Sequence, residues 1–235
     1  MKSRFVKRGD LSKSSKDTNI YSPVASHNAL RAVALWPNRH APHPKGNRRL
    51  ATVDNTAAYL QGDPYPPGTP EEFVKIRDPR TGGWIVLKMK CPIYGDDRAA
   101  KWYYESQRKQ LLRQGFVQGY SPDGSCKVKQ GYQRIPAANA PCIFYKPETD
   151  MVVLVYVDDM LLDGYEQDIN IFLDEWHKRF ETTDAEWLTD DNPIDFCGII
   201  ISQTAGAAIF LSMEPYILKT LDQYGMLDAK PRHCP

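Results

Sequence analysis

One stretch of this 235-residue chain narrows its fold more than any other. Met151-Val-Val-Leu-Val-Tyr-Val157 is apolar and rich in β-branched residues, Asp158-Asp159 follows it, and Met160-Leu-Leu162 and Asp163-Gly164 come next. Two short apolar runs around a polar pair predict a β-hairpin with both carboxylates at its tip. The run from Met151 to Val157, seven residues, is the longest apolar stretch in the chain. A membrane-spanning helix needs ~20 such residues, so no membrane association is expected.

Twenty aspartates produce adjacent pairs by chance, and three pairs occur: Asp96-Asp97, Asp158-Asp159 and Asp190-Asp191. The first and last sit in polar, loop-like or helix-starting sequence, where solvated turns and caps account for them. The middle pair lies between buried strands, where two carboxylates repel and desolvate one another unless a divalent cation offsets both effects. Asp54 ends the run Ala51-Thr-Val53, which can neighbour that hairpin in a split βαβ fold; alone it reads as a strand-end turn residue. Three aspartate oxygens at one sheet edge suit Mg²⁺, and two such ions ~3.5–4 Å apart can clamp an in-line phosphoryl displacement. The reaction class that follows is nucleotidyl transfer.

The rest of the chain supplies the elements. Ala25 to Trp36 reads as a short helix, Leu50 to Val53 as a brief strand, and Pro64 to Pro70, with four prolines, as irregular. Phe73 to Ile76 and Trp84 to Met89 are expected strands around the turn Asp78 to Gly83. Arg98 to Gln114 is an expected helix closed by Gly115, and residues 117–141 look like an insertion. Glu166 to Phe180 places Ile169, Phe172, Leu173, Trp176 and Phe180 on one helical face. Strands at Phe196 to Ser202 and Ala208 to Leu211 and a helix at Glu214 to Tyr224 complete the reading. With the Phe73 to Met89 hairpin as an insert, the order is β-α-β-β-α-β, an α+β fold with an antiparallel sheet backed by two helices.

Formal charge is nearly balanced at +1, but it is segregated along the chain. Residues 1–50 hold eleven Lys/Arg against two Asp/Glu, residues 75–134 thirteen against five, and residues 150–200 two against fourteen. Basic segments suit a phosphate backbone, and equally suit solvated faces; concentrated carboxylates suit divalent cations. The five cysteines are odd in number and form no Cys-x-x-Cys pair, which points to free thiols in a reducing compartment. His40-Ala-Pro-His43 has no cysteine or carboxylate close by in sequence and reads as a loop rather than a zinc doublet. The N-terminus is basic and lacks a secretory signal's apolar stretch, so secretion is not expected.

Tyr156-Val-Asp-Asp159 between apolar strands resembles the catalytic hairpin of reverse transcriptases, and the surrounding chain resembles the copia-type reverse transcriptase domain of LTR retrotransposons. The likeness runs in order along nearly the whole chain. It takes in Lys2-Ser-Arg-Phe-Val-Lys-Arg-Gly9, Tyr21-Ser-Pro-Val24, Val53-Asp-Asn-Thr-Ala-Ala-Tyr-Leu-Gln-Gly62, Tyr94-Gly95 with Trp102-Tyr103, and Gly115-Phe116. Pro141-Cys-Ile-Phe144, Phe196-Cys-Gly-Ile199, Ile209-Phe-Leu-Ser212 and Lys230-Pro231 continue it.

The resemblance implies a fingers–palm polymerase with a ferredoxin-like palm sheet and a largely absent thumb. Residues 1–49 with 64–95 would be fingers-like and 50–63 with 96–213 palm-like, with 214–235 a C-terminal helix leading toward the thumb. It implies Asp54, Asp158 and Asp159 as ligands of two Mg²⁺ ions, with Mn²⁺ able to replace them. Tyr59 would exclude the ribose 2′-hydroxyl, although on its own it reads as a core aromatic. Arg4 and Lys2 would contact the incoming triphosphate, and Tyr156, Phe196, Cys197 and Gly198 would position the primer end. The implied partners are an RNA template, a DNA primer, dNTPs and the integrase and RNase H parts of a polyprotein, in cytoplasm or nucleus or a virus-like particle. Where the family has Lys-Gln after Tyr-Gly, this chain has Asp96-Asp97-Arg98, which bears on nucleotide binding. A catalytically inactive remnant that binds nucleic acid, and another palm-type nucleotidyl transferase such as an RNA polymerase, are the alternatives.

Overall fold

The computed structural model describes residues 20–34, 44–46, 48–119, 141–204 and 208–229. In chain order these form α1 (His27–Ala34), β1 (Arg48–Asp54), a 3-10 turn (Ala58–Gln61), β2 (Phe73–Arg77), β3 (Trp84–Lys88), α2 (Ala99–Arg113) and β4 (Val117–Gln118). They continue with β5 (Ile143–Lys146), β6 (Met151–Tyr156), β7 (Asp159–Tyr165), α3 (Glu166–His177), β8 (Glu186–Trp187), β9 (Ile194–Phe196), β10 (Ile199–Gln203), β11 (Ile209–Ser212) and α4 (Glu214–Gln223). The architecture is mixed α+β, built on antiparallel sheets.

The main sheet has the order β4-β5-β6-β7-β1-β8 with every neighbour antiparallel. Strands β1, β6, β7 and β8, with α2 and α3 as crossovers, follow the β-α-β-β-α-β order that the sequence predicts. The fourth strand differs from expectation. It is the two-residue β8, which pairs Ala51 with Trp187 and Thr52 with Glu186. The expected single strand from Phe196 to Ser202 is instead two, β9 and β10, folded back on each other at Cys197-Gly198 and joined by β11 in a separate three-stranded sheet. Both turn residues have positive φ, 54° at Cys197 and 80° at Gly198, a conformation that reverses a strand in two residues.

Burial explains why the β6–β7 hairpin reads as continuous apolar sequence rather than an alternation. One face of the sheet, with Ala51, Val53, Val153, Val155, Met160 and Leu162, packs under Ile169, Phe172 and Trp176 of α3 and Tyr103 and Leu111 of α2. The other face, with Leu50, Val152, Leu154 and Leu161, packs under Leu30 and Val33 of α1 and Ile194, Phe196, Ile199 and Ile201 of the small sheet. Each such side chain contributes roughly 1.5–3 kcal/mol by leaving water. The end of α2 is as expected: Gly115, at φ 86°, donates to Leu112 O at 3.1 Å, and Phe116 N–H donates to Leu111 O at 3.1 Å, a Schellman closure.

The far end of the hairpin holds a buried ion network. Arg48, the first residue of β1, donates through Nε to Asp163 at 3.1 Å and through Nη1 to Asp150 at 2.8 Å. The side chain of Asp163 is fully buried. Asp96 is not the solvated turn residue expected: its side chain is buried and takes hydrogen bonds from Arg98, which also reaches Glu72 at 2.6 Å. The β2–β3 hairpin forms its own two-stranded sheet, and α4 has no buried residue. Trp36, His40, His43, Cys126, Cys234, residues 120–140 and residues 230–235 lie outside the described residues.

Candidate active site

The two strands that carry the aspartates fix their relation. β1 and β7 pair in a register that sets Arg48 against Tyr165 at one end and Asp54 directly opposite Asp159 at the other. Residues facing each other in this way have Cβ atoms ~4.5–5.5 Å apart on one side of the sheet. Tyr156 stands opposite Asp159 across the hairpin, so Asp54, Asp159 and Tyr156 share that side. Asp158 occupies the two-residue turn with Val157.

Val157 has φ 56°, a region β-branched side chains rarely enter. Such strain costs ~1–3 kcal/mol and persists only where the surroundings over-determine it. Here they do. Asn55, almost wholly buried, donates to Asp158 O through its backbone N at 2.9 Å and through Nδ2 at 2.7 Å. Its own Oδ1 accepts from Trp176 Nε1 of α3 at 2.9 Å. Asp54 is tied from the other side: its N–H donates to Thr183 Oγ1 at 3.1 Å and its carbonyl accepts from Thr183 N at 2.9 Å. Neither lock was visible in the sequence, because the partners are 103, 121 and 129 residues apart and no local pattern marks them.

The carboxylate end of the sheet is electrostatically tense. Burial raises the pKa of Asp159 to about 6, and the charges of Asp158, Asp54 and Asp195 push the same way. Cys197 opposes the shift by donating its S–H to Asp159 Oδ2 at 3.6 Å. Burial and the charge of Asp159 together raise the Cys197 thiol far above its ordinary value, so it is a neutral donor rather than a thiolate. The turn that presents Cys197 is shaped by Asp195, whose Oδ1 accepts Gly198 N–H at 2.8 Å. Phe196 is buried and meets the Tyr156 ring edge-on at 6.5 Å. Tyr156, Phe196, Cys197 and Ile199 line a cleft of about 260 Å³ that Ser26 and His27 close from the α1 side.

Tyr59, in the 3-10 turn, stacks obliquely on Tyr94 at 4.7 Å and edge-on against Tyr103 at 6.0 Å. Burial first, and then the charge of Asp158, raises its pKa, which sets Tyr59 in the field of the aspartate turn. Tyr103 is buried beside it, its hydroxyl has no hydrogen-bond partner among the described residues, and Asp158 and Asp54 also raise its pKa. Thus Asp54, Asp158, Asp159, Tyr59, Tyr156, Phe196, Cys197 and Gly198 come to one end of the fold. Lys2 and Arg4 lie outside the described residues. Among the described residues no group of three or more His, Cys, Asp or Glu side chains is placed so as to hold a metal ion, the three aspartates included. The aspartates share an edge, with carboxylate oxygens as the donor set and a repulsion that a hard divalent cation would relieve.

The chain is similar throughout to part of the retrovirus-related Pol polyproteins of plant transposons. It is 27% identical over 249 residues to that of transposon RE1 of Arabidopsis thaliana, 24% over 246 residues to that of TNT 1-94 of Nicotiana tabacum, and 27% over 245 residues to that of RE2 of Arabidopsis thaliana. Each alignment takes in all of this chain but only 14 to 16% of the polyprotein. No protein-family model matches the chain. Among solved structures, telomerase from Candida albicans in complex with a telomeric RNA fragment superposes with a TM-score of 0.44 and 11% identity, over 92% of this chain and 41% of that one. No helix among the described residues is long and apolar enough to cross a membrane.

Proposed function

We propose that the chain is the RNA-directed DNA polymerase region of a retrotransposon polyprotein, with 50–63 and 96–213 as its palm and 64–95 within its fingers. The observation that carries this reading is the register of β1 on β7, which brings Asp54 opposite Asp159 beside the Asp158 turn, in a chain similar to Pol polyproteins along its full length. Asp54, Asp158 and Asp159 would hold Mg²⁺. Bound there, the metal supplies a lowered pKa for the primer 3′-hydroxyl and charge for the departing pyrophosphate.

The protein's own residues do the rest. The strained Val157 turn, locked by Asn55 and Trp176, holds Asp158 in place before any substrate arrives, so little reorganisation remains for the reaction. Tyr59, braced by Tyr94 and Tyr103, blocks the space a 2′-hydroxyl would need. Tyr156 and the Cys197-Gly198 turn cradle the primer end against Asp159. RNA template, DNA primer and dNTPs are the partners.

Incorporation of dNTPs on an RNA template primed with DNA tests the reading. It should require Mg²⁺ or Mn²⁺, prefer dNTPs to rNTPs, and vanish in Asp158→Asn with Asp159→Asn. Incorporation that survives the double variant would refute it. One observation favours the inactive-remnant alternative. Arg98 stands where the family has a nucleotide-pocket residue, and it is tied to Asp96 and Glu72. Duplex binding without extension at any Mg²⁺ or Mn²⁺ concentration would decide for the remnant.

A further inference from the structure

The β2–β3 hairpin stands apart from both larger sheets, and its composition is odd for a surface element. Residues 73–90 carry five Lys/Arg against a single Asp. The register sets Phe73 against Lys88, Lys75 against Val86 and Arg77 against Trp84, so each of three successive rungs on one face pairs a cation with an apolar side chain. All six are exposed, with Phe73 at 57%, Trp84 at 59% and Val86 at 63%. The opposite face carries Val74, Ile76 and Ile85, which are half-buried, and Leu87, which is exposed. A two-stranded hairpin is marginal on its own, so leaving two aromatic rings in water on its outer face needs an explanation.

Lys75 Nζ lies 5.0 Å and Arg77 Cζ 5.2 Å from the centre of the Trp84 ring, so both cations are within cation–π reach of the indole. Phe73 lies four residues along the strand, roughly 13 Å away. Flat rings spaced along a strip of positive charge offer what a single-stranded nucleic acid presents: base faces to stack and phosphates to neutralise. A protein partner would meet these cations without a matching reason for their place on every rung.

We infer that the outer face of β2–β3 binds single-stranded nucleic acid, with Trp84 and Phe73 stacking on bases and Lys75 and Arg77 on the flanking phosphates. The inference rests on the polymerase reading only for identifying that strand as template. The surface itself is argued from the hairpin.

The test is fluorescence anisotropy of a labelled uridine 20-mer with the full chain in EDTA, where no extension can occur, so that a failed polymerase reading leaves it intact. Trp84→Ala should weaken binding about five- to 150-fold, the range for loss of one stacked base, while Trp84→Phe should retain most of it. Lys75→Gln with Arg77→Gln should reduce the slope of log affinity against log salt by about 1.4, or 0.7 for each lost phosphate contact. Thermal melts confirm that each variant is folded. Unchanged affinity in a folded Trp84→Ala, equal weakening toward a blunt duplex, or a dimer that Trp84→Ala dissolves would each overturn the inference.

Discussion

The chain folds two antiparallel hairpins from strands of similar length and sets them in opposite surroundings. In β6–β7 nearly every residue is buried on one face or the other of the main sheet, with Asp158 and Asp159 at the tip and Asp163 buried in its ion pair at the far end. In β2–β3 no residue is buried, and cations alternate with apolar side chains. The first hairpin gets its precision from two packed layers, which fix its register and allow the turn to be strained. The second has no such support and can offer only what its surface carries. One holds carboxylates still; the other displays charge and rings.

Breaking the buried side of this comparison should cost most. Arg48→Ala leaves Asp163 buried without its partner and should destabilise the fold by about 3–5 kcal/mol in urea denaturation. Lys88→Ala, which breaks the exposed pair with Glu71, should cost about 1 kcal/mol or less. A loss below that in the Arg48 variant would mean that the sheet is less tightly closed than its burial implies. Leu162→Ala should cost about 2–5 kcal/mol in the same assay, against ~0.5 for Val86→Ala. Equal losses would erase the contrast between the hairpins.

Asn55→Ala removes the Nδ2 hydrogen bond to Asp158 O, leaves the backbone one, and strands Trp176 Nε1. A loss of about 1–3 kcal/mol is expected, together with faster amide exchange in the Val157 turn. Protection there equal to wild type would show that the lock is not what holds the turn.

The last effect is electrostatic. Asp159 titrates near 6 in the folded protein, above the ordinary carboxylate value of 3.8, so folding favours its protonated form. Its stabilising contribution is complete below pH ~4 and is lost as pH rises through 6. In EDTA, Asp159→Asn should therefore gain thermal stability relative to wild type as pH is raised from 4 to 7. A stability gap that does not move with pH would contradict the repulsion inferred at this edge.

Much of this arrangement could be read from the residues alone where burial writes itself into local pattern. The run Met151–Val157, the helical face from Ile169 to Trp176 and the glycine after α2 are all short-range signals of long-range packing. The break at Cys197-Gly198 was missed because Phe196-Cys-Gly-Ile-Ile-Ile reads as one apolar run, and the reversal depends on two positive φ angles. β8 is only two residues long and gives no period to detect. The Asn55–Trp176 lock and the Arg98–Glu72 ion pair join residues far apart in the chain, whose meeting only the fold decides. The strain at Val157 is likewise invisible, since valine there looks like the last residue of a strand.

The central claim is that Asp54, Asp158 and Asp159 share divalent metal at one edge of the sheet. Titration of Mn²⁺ into the full chain with primer–template and dNTP, read by electron paramagnetic resonance, tests it without relying on turnover. The account predicts two bound ions per chain and loss of tight binding in Asp158→Asn with Asp159→Asn, with Asp54→Asn also weakened. Mn²⁺ binding of unchanged stoichiometry and affinity in those variants would contradict it.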